Sequence, residues 1–257
     1  MNGFLRHPLR VTGRLIWFAA EILLFLLDYL VHVALRPGIP HTKARAQWLQ
    51  ASSRRTLRIL SVKIRTSGPI PTRGLIVSNH LSYLDILVLS AITPSVFVSK
   101  SEVKNWPVFG TFARLSGTLF VQRTRRSDVA RLNGEISTVL DSGVPVVLFP
   151  EGTSSDGTHI LPFKSSLLEP AMDQGHPVTA SCIRYSLKDG QASEDVCYWG
   201  DMTLFPHLLN LLSKRRVRAH VSFAPVERSA SCRKELARQL HGEVDRMRHG
   251  APAEANS

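Results

Sequence analysis

From Pro69 onward the chain alternates short apolar runs with stretches of helical periodicity, and this alternation restricts the fold more than any other feature. The apolar runs Leu75–Ser78, Val96–Val98, Thr118–Gln122, Val144–Phe149, Val178–Ile183 and Arg216–Phe223 read as strands. Between and after them, Tyr83–Ala91, Val108–Leu115, Asp128–Leu140, Ser166–Asp173, Leu204–Leu212 and Cys232–Met247 read as helices. Strands that take turns with helices predict an α/β fold, a mainly parallel sheet flanked by helices. Lys188–Val196 reads as a polar surface excursion, and the small, polar end Gly250–Ser257 as a flexible tail.

The region before Pro69 has a different character. Residues 1–73 hold 12 Lys+Arg and two acids, Glu21 and Asp28, a net of +10 out of the chain's +12. Leu15–Leu35 is strongly apolar and long enough for a membrane span, which needs ~20 residues. Its two acids oppose that reading, since each costs roughly 2.5–3.5 kcal/mol at the bilayer centre. A cleaved signal sequence is opposed by the same acids and by the lack of a small-x-small site after the run. Arg14, Glu21 and Asp28 are spaced by seven, with His32 one turn further. At about 100° per residue these four share one narrow face of a helix that is otherwise Leu, Ile, Phe, Val and Trp. Such a helix can lie in the membrane interface with its polar stripe against protein, and monotopic insertion is favoured over a single span. His41–Leu60 reads as a second, basic helix suited to an anionic membrane surface. The expected division is therefore 1–68, membrane-docking helices; 69–249, an α/β domain; and 250–257, the tail.

Charge and cysteines exclude some classes. The basic residues flank an apolar helix instead of interleaving with exposed aromatics on a compact domain, so no nucleic-acid partner is expected. Cys182, Cys197 and Cys232 form no C-x-x-C pair and no zinc-type cluster with His, which points to reduced, structural cysteines and no metal site.

Three strand ends carry polar chemistry. In Gly74-Leu-Ile-Val-Ser-Asn-His80-Leu-Ser-Tyr-Leu-Asp85 a strand runs into a turn and then a helix. A histidine that takes a proton needs one ring nitrogen free and the other held by an acceptor, and Asp85 can be that acceptor. Gly117-Thr-Leu-Phe-Val-Gln-Arg123 ends in a cation suited to a bidentate phosphate contact. Val146-Val-Leu-Phe-Pro-Glu151-Gly152-Thr153 ends in a turn where Gly152 permits close backbone approach and Thr153 to Ser155 supply hydroxyls. Thr158-His159 stand where a Walker A loop needs Lys-Ser/Thr, and Asp156 stands where a serine-hydrolase elbow needs its second glycine. In a doubly wound sheet ligands bind at the carboxyl ends of strands, so the three ends can converge.

These blocks, Asn79-His80-x4-Asp85, Gly117-x-Leu119-Phe120-Val121-x-Arg123 and Phe149-Pro150-Glu151-Gly152-Thr153, resemble in order and spacing those of the glycerolipid acyltransferases, the 1-acyl-glycerol-3-phosphate acyltransferase family. Lys100-Ser-Glu102 with Trp106-Pro-Val-Phe-Gly110, and Phe163-Lys164, resemble the family's connecting stretches. Ala180 stands where the fourth block usually has a proline, and the glycine common near Ser166 is missing.

The resemblance implies transfer of a fatty acyl group from a thioester to the sn-2 hydroxyl of lysophosphatidic acid. His80 is then the base and Asp85 its orienting acid, and Arg123, Glu151, Gly152 and Thr153 bind the acceptor. Glu151 is better suited to organising the site than to touching a phosphate, and N–H groups near Gly152 are candidates for an oxyanion site. The implied partners are a membrane lipid acceptor and acyl-CoA or acyl carrier protein as co-substrate, with no metal or tightly held cofactor. The implied location is the cytoplasmic face of the cell membrane. An alternative acceptor is another lysolipid such as a lyso-ornithine lipid; Tyr198-Trp199-Gly200-Asp201 is a candidate for its headgroup pocket, although a structural role is favoured there.

Overall fold

The computed structural model describes residues 7–35, 38–106, 108–122, 126–173, 175–227 and 230–250. Helix α1 (Pro8–Tyr29) continues into a π-helical turn, Leu30–Ala34, and is followed by α2 (His41–Ile59) and strand β1 (Val62–Ser67). Then come β2 (Leu75–Ser78), α3 (Leu84–Ile92), β3 (Val96–Lys100), α4 (Phe109–Leu115), β4 (Leu119–Val121), α5 (Arg126–Asp141) and β5 (Val146–Leu148). The chain ends with α6 (Glu169–Asp173), β6 (Val178–Leu187), α7 (Ala192–Asp195), α8 (Leu204–Ser213), β7 (Val217–Pro225) and α9 (Arg233–His249).

Among the described residues the strands form one seven-stranded sheet in the order β1-β7-β6-β2-β5-β3-β4. β6 and β7 pair antiparallel and the other neighbours pair parallel, so β1 and β7 run against the other five. The expected α/β class and mainly parallel sheet are therefore found. β2 and β5 are buried on both faces, as continuous apolar runs in a parallel sheet should be. Ile76, Val147, Ile183 and Val221 face a core built with α1, α2, α3 and α8. Leu75, Val77, Leu148 and Cys182 face a second core with Leu132 and Ile136 of α5 and Leu236 and Leu240 of α9.

Helix α1 with its π turn, Pro8–Ala34, is long and apolar enough to cross a membrane. Its polar stripe is bound to the rest of the protein from Arg14 to Asp28, whereas His32 is exposed and, among the described residues, bonds only the Asp28 carbonyl of its own helix. Arg14 Nη1 donates to the carbonyls of Leu212 (2.8 Å) and Lys214 (2.6 Å), and Arg10 Nη1 donates to that of Ser213 (2.8 Å). Arg55 of α2 bonds buried Glu21 and reaches Asp28 at 2.5 Å. Trp48 Nε1 donates to the Phe25 carbonyl at 3.1 Å. From Arg14 to Asp28 the helix is thus fixed along roughly 20 Å of its length. The opposite side, with Ile16, Trp17, Leu23, Leu27 and Leu30, is exposed, Leu23 by 71 %.

Two expectations need correction. The first 68 residues are not helices alone, because Val62–Ser67 pairs in register with Val217–Ser222. A boundary at 68 also cuts α2 from the core, where Trp48, Leu57 and Leu60 are buried. The basic excess of this region, moreover, is not one lipid-facing surface. Arg10, Arg14 and Arg55 bind protein groups, Arg54 Nε donates to the Ala91 carbonyl at 2.8 Å, and Lys63 and Arg65 lie on β1. Residues 251–257, the body of the expected tail, lie outside the described residues.

Candidate active site

The carboxyl end of β2 sits between β5 and β6, and its continuation is held by side chains from both sides. Asn79 extends the sheet with its amide: Nδ2 donates to the Ile183 carbonyl at 3.0 Å, and Oδ1 accepts the Ile183 N–H at 2.7 Å. His80 N–H donates to Glu151 Oε1 at 2.9 Å, and the Ser155 N–H donates to the His80 carbonyl at 3.0 Å. The backbone of the histidine is therefore fixed before its ring is considered.

The ring lies on Phe149, with centroids 4.2 Å apart and planes 17° apart. Nδ1 is 2.8 Å from Asp85 Oδ2. The same oxygen accepts the N–H of Leu81 (2.6 Å) and Ser82 (2.9 Å), and Oδ1 accepts the hydroxyl of Tyr185 at 2.7 Å. A fully buried carboxylate surrounded by four donors acts as an acceptor, which places the Nδ1 proton on the histidine and leaves Nε2 as the free nitrogen. Local sequence explains the arrangement. Ser82 Oγ accepts the Leu84 N–H at 3.3 Å while Asp85, in the first turn of α3, reaches back to the Ser82 N–H, so the carboxylate that meets the ring also ties the helix start to the turn. One residue thus ties the helix start to the loop and holds the His80 ring.

Glu151 is buried, and both of its oxygens are occupied: Oε1 by His80 N–H and Oε2 by Leu161 N–H at 3.2 Å. Burial, with Asp85 adding to it, pushes its carboxyl up to about 7 against the pull of those two donors. It ties the second loop to the first. Gly152 adopts φ +77°, and its N–H is taken by the Phe149 carbonyl at 3.1 Å, so this N–H is part of the turn and not an oxyanion donor. Thr153 is exposed at the cavity described next, whereas Ser154 Oγ bonds the Tyr198 carbonyl. Arg123 lies outside the described residues.

A cavity of about 460 Å³ opens at His80. Thr153 and Trp199 line it near polar groups, and Phe18, Leu49, Phe97 and Phe112 supply apolar wall from α1, α2, β3 and α4. This is the size and lining of a ligand site. Tyr198 and Gly200 also line it, so that stretch belongs to the pocket as well as to the scaffold; Tyr198 N–H donates to the Leu81 carbonyl at 2.7 Å. Tyr185 was not found from sequence. Its one signal is the alternation Ile183, Tyr185, Leu187, which continues β6 beyond the expected end.

A histidine held by a buried carboxylate where an apolar cavity opens has the geometry to take a proton from a hydroxyl on a molecule with an acyl chain. Comparison with known proteins agrees. An acyltransferase family model matches residues 61–184. A lyso-ornithine lipid O-acyltransferase of Brucella abortus is 39% identical over 203 residues, 73% of this chain and 76% of that protein. The chain belongs to the glycerolipid acyltransferase family. Another member, a 1-acyl-sn-glycerol-3-phosphate acyltransferase of Neisseria gonorrhoeae, is 33% identical over 196 residues, covering 75% of this chain and 76% of that one. The crystal structure of the 1-acyl-sn-glycerophosphate acyltransferase PlsC from Thermotoga maritima superimposes with a TM-score of 0.73 over 99% of this chain and all of that one. At 21% identity that likeness establishes the fold. As an acyltransferase of the lysophospholipid type, this family member acts on a lipid acceptor and an acyl donor.

Proposed function

We propose that the chain moves a fatty acyl group from a thioester to a hydroxyl of a membrane lysolipid. His80 Nε2 takes the hydroxyl proton as the oxygen attacks the thioester carbonyl. The tetrahedral intermediate then expels the thiolate, which recovers the proton from His80, so an ester and a free thiol leave the site. Asp85 holds the ring and stabilises the imidazolium. Arg123 and Thr153 are assigned to the acceptor headgroup, and the cavity to an acyl chain. The reading requires no metal or tightly held cofactor, since acyl-CoA or acyl carrier protein enters as co-substrate. The observation that carries it is the Nδ1–Asp85 bond at 2.8 Å, at the mouth of an apolar cavity.

The lyso-ornithine lipid relative at 39% identity supports an amino-acid headgroup as the acceptor's, and the Neisseria relative at 33% supports lysophosphatidic acid as the second reading. Helix α1 supports monotopic attachment: its polar stripe is occupied by protein and its apolar side is free for the interface. A thioester donor drawn from the cytosol supports a catalytic domain on the cytoplasmic face.

The test is mass spectrometry of products from purified protein given lyso-ornithine lipid, lysophosphatidic acid and other lysolipids with each donor. Preferred acylation of lyso-ornithine lipid is expected; preference for lysophosphatidic acid establishes the second reading. The His80→Ala variant should lose about 10²–10⁴ in rate, and full activity in it removes the base from the mechanism.

A further inference from the structure

Among the described residues, the second face of the sheet has no helix beyond β6. Helix α9 covers Ala180 and Cys182, and its last turn stops at Arg184, whose Nη1 donates to the carbonyls of Arg248 (3.2 Å) and Gly250 (2.8 Å). Past that point the strand register places cations side by side. Lys63 of β1 lies opposite Arg218 of β7, and His220 lies between Arg65 and Arg184. Lys188, Arg215 and Arg216 add to them around a cavity of about 510 Å³ where β6 ends and β7 begins. Among the described residues, Lys63, Lys188, Arg215, Arg216 and Arg218 form no ion pair, although Asp189 lies beside them and accepts the Arg215 N–H at 2.6 Å. The His220 imidazole is held below its ordinary value by burial and then by Arg184, Arg65 and Arg218. Like charges directly opposite each other weaken a sheet, and an anionic partner relieves them.

We propose that this cationic sheet face docks an acidic protein that presents the acyl thioester. The assignment rests on the acyl-transfer reading above. Three observations select this occupant. The strand cations Lys63, Arg65 and Arg218 are on the side of the sheet opposite α1, away from the lipid that covers the apolar side of that helix, while Arg215 follows Lys214, whose carbonyl binds Arg14 of the helix's polar stripe. Among the described residues the patch has no exposed aromatic on which bases could stack, which disfavours single-stranded nucleic acid. The end of β6 also belongs to the active-site edge of the sheet. β6 runs from Ser181, the partner of Ser78, to Leu187, so a flexible thioester arm has to span on the order of 20 Å to His80.

The experiment uses the full chain and two variants. Lys63→Glu puts a carboxylate opposite Arg218, an attractive cross-strand pair that leaves the fold intact. Arg216→Glu alters the residue just before β7. For each, kcat/KM is measured with acyl carrier protein and with acyl-CoA, and the binding of labelled holo acyl carrier protein is measured directly at several salt concentrations. The proposal expects tight, salt-sensitive carrier binding by the parent chain, weakened about tenfold or more in both variants, with kcat/KM lowered for the carrier donor only. Equal losses with both donors, or none with either, overturn it. So does loss of anionic-vesicle binding in the variants, which would make the face a membrane contact. A parent chain that turns over acyl-CoA but does not bind the carrier overturns this proposal and leaves acyl transfer standing. A chain that binds the carrier but acylates no lysolipid overturns the acyl-transfer reading instead.

Discussion

The hydroxyl of Tyr185, on β6, donates to Oδ1 of Asp85 at 2.7 Å, and both groups are buried. Asp85 Oδ2 is already filled by His80 and two backbone N–H groups, so Tyr185 fixes the remaining rotation of the carboxylate. Its phenol is held well above the ordinary value, by burial and by the charge and hydrogen bond of Asp85, and it stays a donor at any working pH. Tyr185→Phe leaves Oδ1 without a partner. We expect a loss of about 1–3 kcal/mol in stability and a kcat lowered several-fold with the acceptor KM unchanged, measured by denaturation and steady-state kinetics. A purely structural tyrosine would leave kcat per folded molecule unaltered, and that result removes the positioning role.

How much of this was legible in the sequence depends on where each partner lies along the chain. His80, Asp85, Glu151 and Gly152 stand at the ends of apolar runs, and a strand end in a parallel sheet faces the ligand crevice, so local pattern was sufficient. Tyr185 comes from about a hundred residues further on and meets Asp85 only because β6 pairs with β2. β1, Val62-Lys-Ile-Arg-Thr-Ser67, alternates as a strand with one open face does, but with only Val62 and Ile64 apolar the signal is too short to separate it from the end of α2. The stripe on α1 was legible as a stripe, but its partners, Arg55 and the end of α8, are fixed by packing alone. The role of Glu151 needed its burial and its two backbone donors, neither of which spacing can show.

Glu151 makes stability depend on pH in a definite direction. Its folded value, about 7, is above the ordinary carboxyl value of 4.5. The contribution of its protonated form is therefore complete below about 4.5 and is lost as pH rises through 7, by up to about 3 kcal/mol. His207 and His220 are held below 6.5 and act in the opposite sense over part of this window. The comparison with Glu151→Gln isolates the carboxyl. Unfolding free energies from pH 5 to 8 should fall more steeply in the parent chain than in the variant, and parallel curves would refute the assignment.

The cavity wall should set which acyl chains are accepted. Ala113 of α4 lines the cavity beside Phe112, and enlarging it removes volume without touching His80. For Ala113→Leu, product spectra from mixed donors should shift toward shorter chains, with total turnover on the shortest donors retained. An unchanged distribution places the bound chain elsewhere. Uniform loss across all lengths would mean that the wall is rigid and the substitution strains α4, since overpacking a well-filled site costs about 1–3 kcal/mol.

Two truncations separate membrane attachment from folding. Removing residues 1–34 deletes α1, exposing Arg55 and the polar end of α8 while leaving α2 and β1 in place. Removing residues 1–68 also takes away the edge strand paired with β7 and the helix whose Trp48, Leu57 and Leu60 lie in the core. Each fully buried large apolar side chain stabilises by about 1.5–3 kcal/mol, so losing several of them exceeds a typical margin of 5–15 kcal/mol. The shorter deletion should therefore keep a cooperative unfolding transition and lose affinity for vesicles. The longer one should give no cooperative transition by circular dichroism. A folded 69–257 fragment would show that α2 and β1 are accessory, and would restore the boundary at residue 68 that the charge distribution alone suggests.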